Sequence, residues 1–315
     1  MGEIIMDLSL LFGQIILMFA LMLVGILANK VKFMHEKTAS DLTNVLLYIV
    51  SPCLIVQSFQ KPYSANRIHI FLLLVVGVFL VYIVQIVVSK VLFKGLYDHN
   101  LQRIVKYGSI YSNAGFIGIP LASSLFGSTG VFYAVVPLAM FNIFNWTHGV
   151  KLFASDSEQN LIEKLKSILF NPNIIALFVG LMIFAFSIRL PSFLNQMVGY
   201  ISSINTPVSM LVIGNSLANI VFKNFRLDRS LTLSLFLRNL VYPIVTSIIM
   251  HVFGVTGVPL ATAILMMSCP VGGMVVLFTL QVHGKQEPAI TLMAVSTMLS
   301  LITIPAVFLF NNLLG

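Results

Sequence analysis

Apolar residues run almost unbroken through this chain, in stretches close to the ~20 residues that a helix needs to cross a bilayer. They occupy 8–28, 42–60, 68–93, 104–126, 131–150, 171–190, 199–222, 230–253, 258–282 and 288–311. Their length and lack of charge predict ten transmembrane helices joined by short polar connections, an all-α polytopic membrane fold. Two runs are interrupted near mid-span by glycine and proline, at Asn113-Ala114-Gly115-Phe116-Ile117-Gly118-Ile119-Pro120 and at Ser268-Cys269-Pro270-Val271-Gly272-Gly273. A helix broken inside lipid frees N–H and C=O groups that hydrocarbon cannot satisfy, so such a break persists only against protein or a water-filled cavity. Breaks in matching places of two half-chains point to a transport site.

The most polar internal stretch, Ser155 to Lys166 with Asp156, Glu158 and Glu163, divides the runs into five and five. The expected organisation is a first repeat over 1–154, a linker over 155–168 and a second repeat over 169–315. Five is odd, so the second repeat crosses in the opposite sense, as an inverted repeat. Pro52 and Pro207 each follow a hydroxyl residue, Ser51 and Thr206, and Pro120 pairs with Pro270. Prolines are common in membrane helices, so chance alignment is the competing account. Asn113 and Pro270 fall at comparable depths of runs four and nine, which predicts that the two breaks meet and cross.

Composition agrees: 58% of residues are hydrophobic, 9% are charged, and mean hydropathy is +0.99. Basic residues alternate between connections. Lys30, Lys32 and Lys37, then Lys90, Lys94, Arg103 and Lys106, then Lys151, Lys164 and Lys166, then Lys223, Arg226 and Arg229, and finally Lys285 share one side. Only Lys61, Arg67 and Arg189 fall on the other. Cytoplasmic loops retain positive charge, which places both termini outside a cell membrane. The first segment follows Glu3 and Asp7 with no basic stretch, so it reads as a retained helix rather than a cleaved signal. The formal +8 is a topology signal and argues for no nucleic-acid partner.

At the crossing, half-helix ends present backbone N–H groups with partial positive charge, suited to an anion. Substrate-binding candidates are Asn113, Ala114, Gly115, Gly118 and Pro120 on the first break and Ser268, Cys269, Pro270, Gly272 and Gly273 on the second. Ser51, Pro52, Thr206 and Pro207 support them. Asn142 and Asn145 share a helical face ahead of Trp146 and His148, and either contact substrate or bridge helices. Asn205 and Asn215 carry the same two readings, and Asn44 reads as an interface residue. Arg238 is the one charge well inside a run; it caps the carbonyls of a broken helix, snorkels to the interface, or binds substrate.

None of the ten acids falls at mid-membrane, where strong proton or sodium coupling places them. Export of an anion from a negative interior gains ~2.3 kcal/mol per charge per 100 mV and needs no partner ion. Cys53 and Cys269 read as small packing residues, the histidines lack metal-ligand spacing, and there is no phosphate-binding loop, so no cofactor, metal or ATP is expected.

The order of these elements resembles the auxin efflux carrier family, with its plant carriers and bacterial organic-acid permeases. The features are Ser51-Pro52, the Asn113…Gly118-Ile119-Pro120-Leu121 break, Asn171-Pro172-Asn173, Arg238 followed by Pro243, and Pro270…Gly273. The resemblance covers essentially the whole chain. It implies an elevator-type carrier of a small organic anion such as a carboxylate, with a scaffold part and a transport part, and it implies a homodimer. The plant members' long central loop is missing here, so its regulation is not carried over.

The alternative is a sodium-coupled symporter of the bile-acid type, whose usual acidic and Gln ligands near the crossing are absent. A ligand sensor lacks a signalling domain, and an intramembrane protease lacks its motif. A channel differs from a carrier in flux rather than in sequence.

Overall fold

In a computed structural model, which describes residues 8–153, 166, 168–218 and 227–314, the chain is all-helical, with no strand among the described residues. The linker acids Asp156, Glu158 and Glu163, together with Lys223 and Arg226, lie outside the described residues. Helices are α1 (Leu8–Lys30), α2 (Glu36–Ser58), α3 (Ala65–Leu92), α4 (His99–Ile110), α5 (114–126) and α6 (128–153). They continue as α7 (Pro172–Ala185), α8 (Ser192–Ser203), α9 (Asn205–Ala218), α10 (Arg229–Val252), α11 (Gly257–Ser268), α12 (Met274–Gln281) and α13 (Glu287–Leu314).

Among the described residues, 7 helical stretches are long and apolar enough to cross a membrane. One of them, Ala114–Phe153, holds 40 residues. As a straight rod it would measure ~60 Å, twice the hydrocarbon thickness. Gly127, at φ 57° and ψ −149°, divides it into α5 and α6. A Cβ at Gly115 would lie 3.9 Å from Leu138 Cδ1, so α6 returns alongside α5. Positive φ at this reversal suits glycine, which has no Cβ to clash. Pro172–Ala185 and Gly257–Ser268 are shorter apolar helices.

Proline shapes the helices in a repeated way. Wide π-turns at Leu46–Val50, Ala114–Gly118 and Leu237–Val241 each end two residues before a proline: Pro52, Pro120 and Pro243. A proline ring crowds the carbonyl four residues back and donates no N–H, and a widened turn relieves both defects. Pro207 has the sharper effect, dividing α8 from α9 at Ile204. The run expected at 199–222 therefore begins earlier, at Ser192, as two short helices.

Packing sorts the helices into two groups. In one, α1 lies against α9, and α2 against α7 and α8. The approach of α1 to α9 is close: a Cβ at Gly25 would come within 2.4 Å of the Leu211 carbonyl oxygen, and one at Gly214 within 2.0 Å of the Met22 carbonyl oxygen. Small residues at such a seam let two backbones meet where lipid offers no hydrophobic drive. In the other group, α11 packs on the 114–144 stretch and on α10, with α3, α4 and α13 around them.

Candidate functional site

Helix α4 ends at Ile110, and α5 begins at Ala114 with Asn113 as its cap, the Asn113 side-chain oxygen accepting from the Phe116 amide at 3.3 Å. Helix α11 ends at Ser268, and α12 begins at Met274. The two interruptions are joined by main-chain bonds: Asn113 N–H donates to the Pro270 carbonyl at 2.7 Å, and Gly272 N–H to the Tyr111 carbonyl at 3.1 Å. Ser112 and Val271 thereby form a single antiparallel bridge. Polar side chains hold the second segment, because Ser296 Oγ accepts from the Val271 amide at 3.0 Å and donates to Asn239 Oδ1 at 2.7 Å.

A cavity of about 370 Å³ lies against this bridge. Asn113, Ala114 and Gly115 line it from the first break, and Gly272, Gly273 and Met274 from the second. Asn142, Asn145 and Trp146 of α6, Asn171 and Asn173 at the start of α7, and Ser216 of α9 add polar edges. Leu47, Phe116, Leu138, Phe141, Val212 and Leu277 make much of the remaining wall apolar. The starts of α5 and α12 thus both face one space, and the first turn of a helix leaves N–H groups without intrahelical acceptors. Partial positive charge from two directions, with amide side chains between them, favours a negatively charged ligand group.

The opposite ends of the interrupted helices are closed differently. Arg238 is fully buried. Its Nη1 donates to the carbonyl of Ile110, the last residue of α4, at 2.6 Å, and its Nη2 to the carbonyl of Met267 near the end of α11. One guanidinium therefore serves both C-termini, whose partial negative charge it offsets. It is buried among protein groups, which favours the capping role over snorkelling.

The sequence candidates fall into two sets. Asn113, Ala114, Gly115, Asn142, Asn145, Gly272 and Gly273 line the cavity. Gly118, Pro120, Ser268, Cys269 and Pro270 are buried behind it. A Cβ on Gly118 would meet Met266 Sδ at 2.7 Å and Cys269 Sγ at 3.2 Å, so this glycine lets α5 approach α11. Ser268 Oγ and Cys269 Sγ donate to carbonyls of their own helix, at Ile264 and Leu265. The hydroxyl of Ser51 donates to Asn205 Oδ1 at 3.4 Å, and that of Thr206 to the Pro120 carbonyl at 3.5 Å, so the residues flanking Pro52 and Pro207 form one cluster near the first break. Asn215 accepts from Asn29 at 3.0 Å, and Asn44 is exposed. Cys53 and Cys269 are free.

Asn142 and Asn145 bridge to neighbouring elements and also face the cavity. Asn171 donates to Asn142 Oδ1 at 3.1 Å, and the Tyr107 hydroxyl donates to Asn145 Oδ1 at 2.6 Å, while both asparagines remain on the cavity wall. Residues not singled out as site candidates include Ser112, Tyr107, Asn171, Asn239 and Ser296. Asn171 did carry a signal, standing in the Asn-Pro-Asn that opens a run. Tyr107 and Tyr111, one turn apart before the break, hold Asn145 and, through a 2.9 Å contact, His148. Among the described residues no group of His, Cys, Asp and Glu is placed to hold a metal ion.

A family model described as membrane transport protein matches residues 10–308. The chain is also 28% identical over 213 residues to the uncharacterized transporter MJ1031 of Methanocaldococcus jannaschii, covering 65% of this chain and 68% of that one.

Proposed function

The chain belongs to the membrane transport protein family, the one its motif order resembles, and from that premise we propose that it carries a small organic anion across a cell membrane. It is a multi-pass membrane transporter and not an enzyme. The observation that carries the anion reading is the convergence of two helix N-termini, those of α5 and α12, on the Asn113 cavity while Arg238 offsets their partners' C-termini. A carboxylate seats at the Asn113 side-chain amide and the N–H groups of Gly115 and Gly273, since the Gly272 N–H is taken by Tyr111, and the apolar wall of the 370 Å³ space takes a hydrocarbon or aromatic body.

The reading counts the interrupted pairs α4–α5 and α11–α12 as single crossing spans, giving ten in a five-plus-five inverted repeat. In it, α1, α2 and α7–α9 are the scaffold and the remaining helices the moving part, an elevator in which the bridged breaks travel as a unit. The cavity lies towards the helix ends that carry Lys30, Lys94, Lys151, Arg229 and Lys285, so with those ends cytoplasmic the conformation is inward-open.

The test is thermal stability of the purified protein against a panel of carboxylates and their uncharged amides, with sodium or choline as cation, because a ligand that binds only the folded state raises apparent stability. Stabilisation by a carboxylate but not by its amide, lost in Asn113→Asp, is the expected result. Equal stabilisation by the amide overturns the anion reading, and stabilisation only with sodium moves the protein to the symporter class.

A further inference from the structure

A second and larger cavity, about 790 Å³, lies at the other end of the same helices. Its walls come from the end of α2 (Leu54 to Ser58) and the segment after it (Gln60 to Pro62), the end of α5 (Ser123), the start of α6 (Ser128), the segment after α7 (Ser187 to Leu190) and the adjoining parts of α8 and α9. Resting on the anion reading above, we propose that this cavity is a second binding site for the same carboxylate class, an outer vestibule in which Lys61 and Arg189 hold the anion before or after its passage.

Charge is the first support. Lys61, Arg67 and Arg189 are the basic residues of this end, and all three gather here: Lys61 and Arg189 line the space, and Arg67 Nη1 donates at 3.1 Å to the carbonyl of Pro62, which also lines it. No Asp or Glu occurs anywhere in 42–97, 112–155 or 164–227, which includes every lining residue. The opposite end interleaves its lysines with Glu36, Asp41, Asp98, Asp228 and Glu287. Burial chiefly, and then the neighbouring Arg67, lower the pKa of Lys61 below the usual lysine value.

Donors are the second support. Lys61 Nζ donates to Thr129 Oγ1 at 3.0 Å, a neutral partner that leaves its charge uncompensated. Gln60 also lines the cavity, and its buried side-chain nitrogen has no acceptor among the described residues. The third support is position. Thr206 lies on the cavity wall and its hydroxyl reaches the Pro120 carbonyl, so the vestibule ends at the outer side of the broken span. A polar space walled by protein and lined with one sign of charge focuses its field and concentrates counter-ions.

The test measures the local field without assuming a substrate. Ser203→Cys, an exposed position on the vestibule wall, is made in a Cys53→Ser background and reconstituted into phosphatidylcholine vesicles, which carry no anionic headgroup. Its reaction with an anionic methanethiosulfonate (sulfonatoethyl) is compared with that of a cationic one (trimethylammonioethyl). Relative to a small thiol in solution, the anionic reagent should be favoured by about tenfold or more at low salt. The preference should vanish in Lys61→Gln/Arg189→Gln, and phenylacetate should slow labelling where phenylacetamide does not. Absence of a preference overturns the vestibule, while carboxylate-specific stabilisation through the Asn113 cavity would still stand. Protection by phosphate but not phenylacetate overturns the carboxylate assignment. Protection that appears only with phosphatidylglycerol vesicles gives the site to a lipid headgroup and also overturns it.

Discussion

The amide of Asn113 donates to the carbonyl of Pro270 over 2.7 Å, joining two helix breaks by main chain alone. Backbone released from one helix is thereby satisfied by backbone released from another, with the matching Gly272-to-Tyr111 bond beside it. A Cβ on Gly272 would sit 3.2 Å from the Ser112 carbonyl oxygen, so alanine is tolerated only with a small shift. Gly272→Val forces the strands of this bridge apart, with an expected cost of ~1–3 kcal/mol from overpacking. Its melting temperature should fall and transport should be lost, whereas Gly272→Ala keeps most of both. A valine variant as stable and active as the parent would show that the bridge does not need this close approach.

Asn113 separates stability from binding. Asp caps a helix about as well as Asn, whereas Ala costs ~1 kcal/mol. Asn113→Asp should therefore melt near the parent temperature yet lose anion transport by tenfold or more, because it adds negative charge beside the carboxylate site. Asn113→Ala should lose both, as measured by thermal denaturation and by flux in proteoliposomes.

Arg238 makes two charge-assisted bonds to the carbonyl ends of α4 and α11. Such bonds contribute ~1.5–3 kcal/mol each. Arg238→Met should lower the melting temperature most, and Arg238→Lys, a point charge without the planar fork, should fall between Met and the parent. A Lys variant indistinguishable from the parent would mean that charge alone suffices and the fork geometry is immaterial.

The two packing groups predict opposite outcomes for two cross-links. Asn29 and Asn215 are hydrogen-bonded within the α1–α9 group, and Asn171 and Asn142 between the groups. In a Cys53→Ser background, mercuric ion bridging of Asn29→Cys/Asn215→Cys should spare transport, and bridging of Asn142→Cys/Asn171→Cys should stop it reversibly. Full activity of the second bridged pair is incompatible with sliding of one group past the other.

The acids among the described residues stand at or near helix starts: Glu36 and Asp41 in α2, Asp98 and Asp228 as caps of α4 and α10, and Glu287 at the head of α13. None reaches the cavity wall. Replacing sodium by choline should leave flux unchanged, while an inside-negative potential should accelerate anion export, as ~2.3 kcal/mol per charge per 100 mV requires. Flux that ceases without sodium would point to a cation held by carbonyls and hydroxyls.

What could be read from the sequence was what local chemistry dictates. Pro120 and Pro270 lack an N–H and crowd the preceding turn, so the interruptions were visible as residue types, as was the Asn171-Pro172-Asn173 opening of a run. The apolar runs fixed the environment and the helical class, because only satisfied backbone survives in lipid. Partners were another matter. Asn142 and Asn145 were ambiguous until Asn171 and Tyr107 were brought against them, and Arg238 had three open roles until the ends of α4 and α11 arrived at its guanidinium. Gly118, Ser268 and Cys269 looked like cavity residues by their place in the chain, and packing put them behind it. The division follows from range: a proline acts on the turn it belongs to, but a buried polar side chain takes its role from whichever donor or acceptor the tertiary fold sets within about 3 Å.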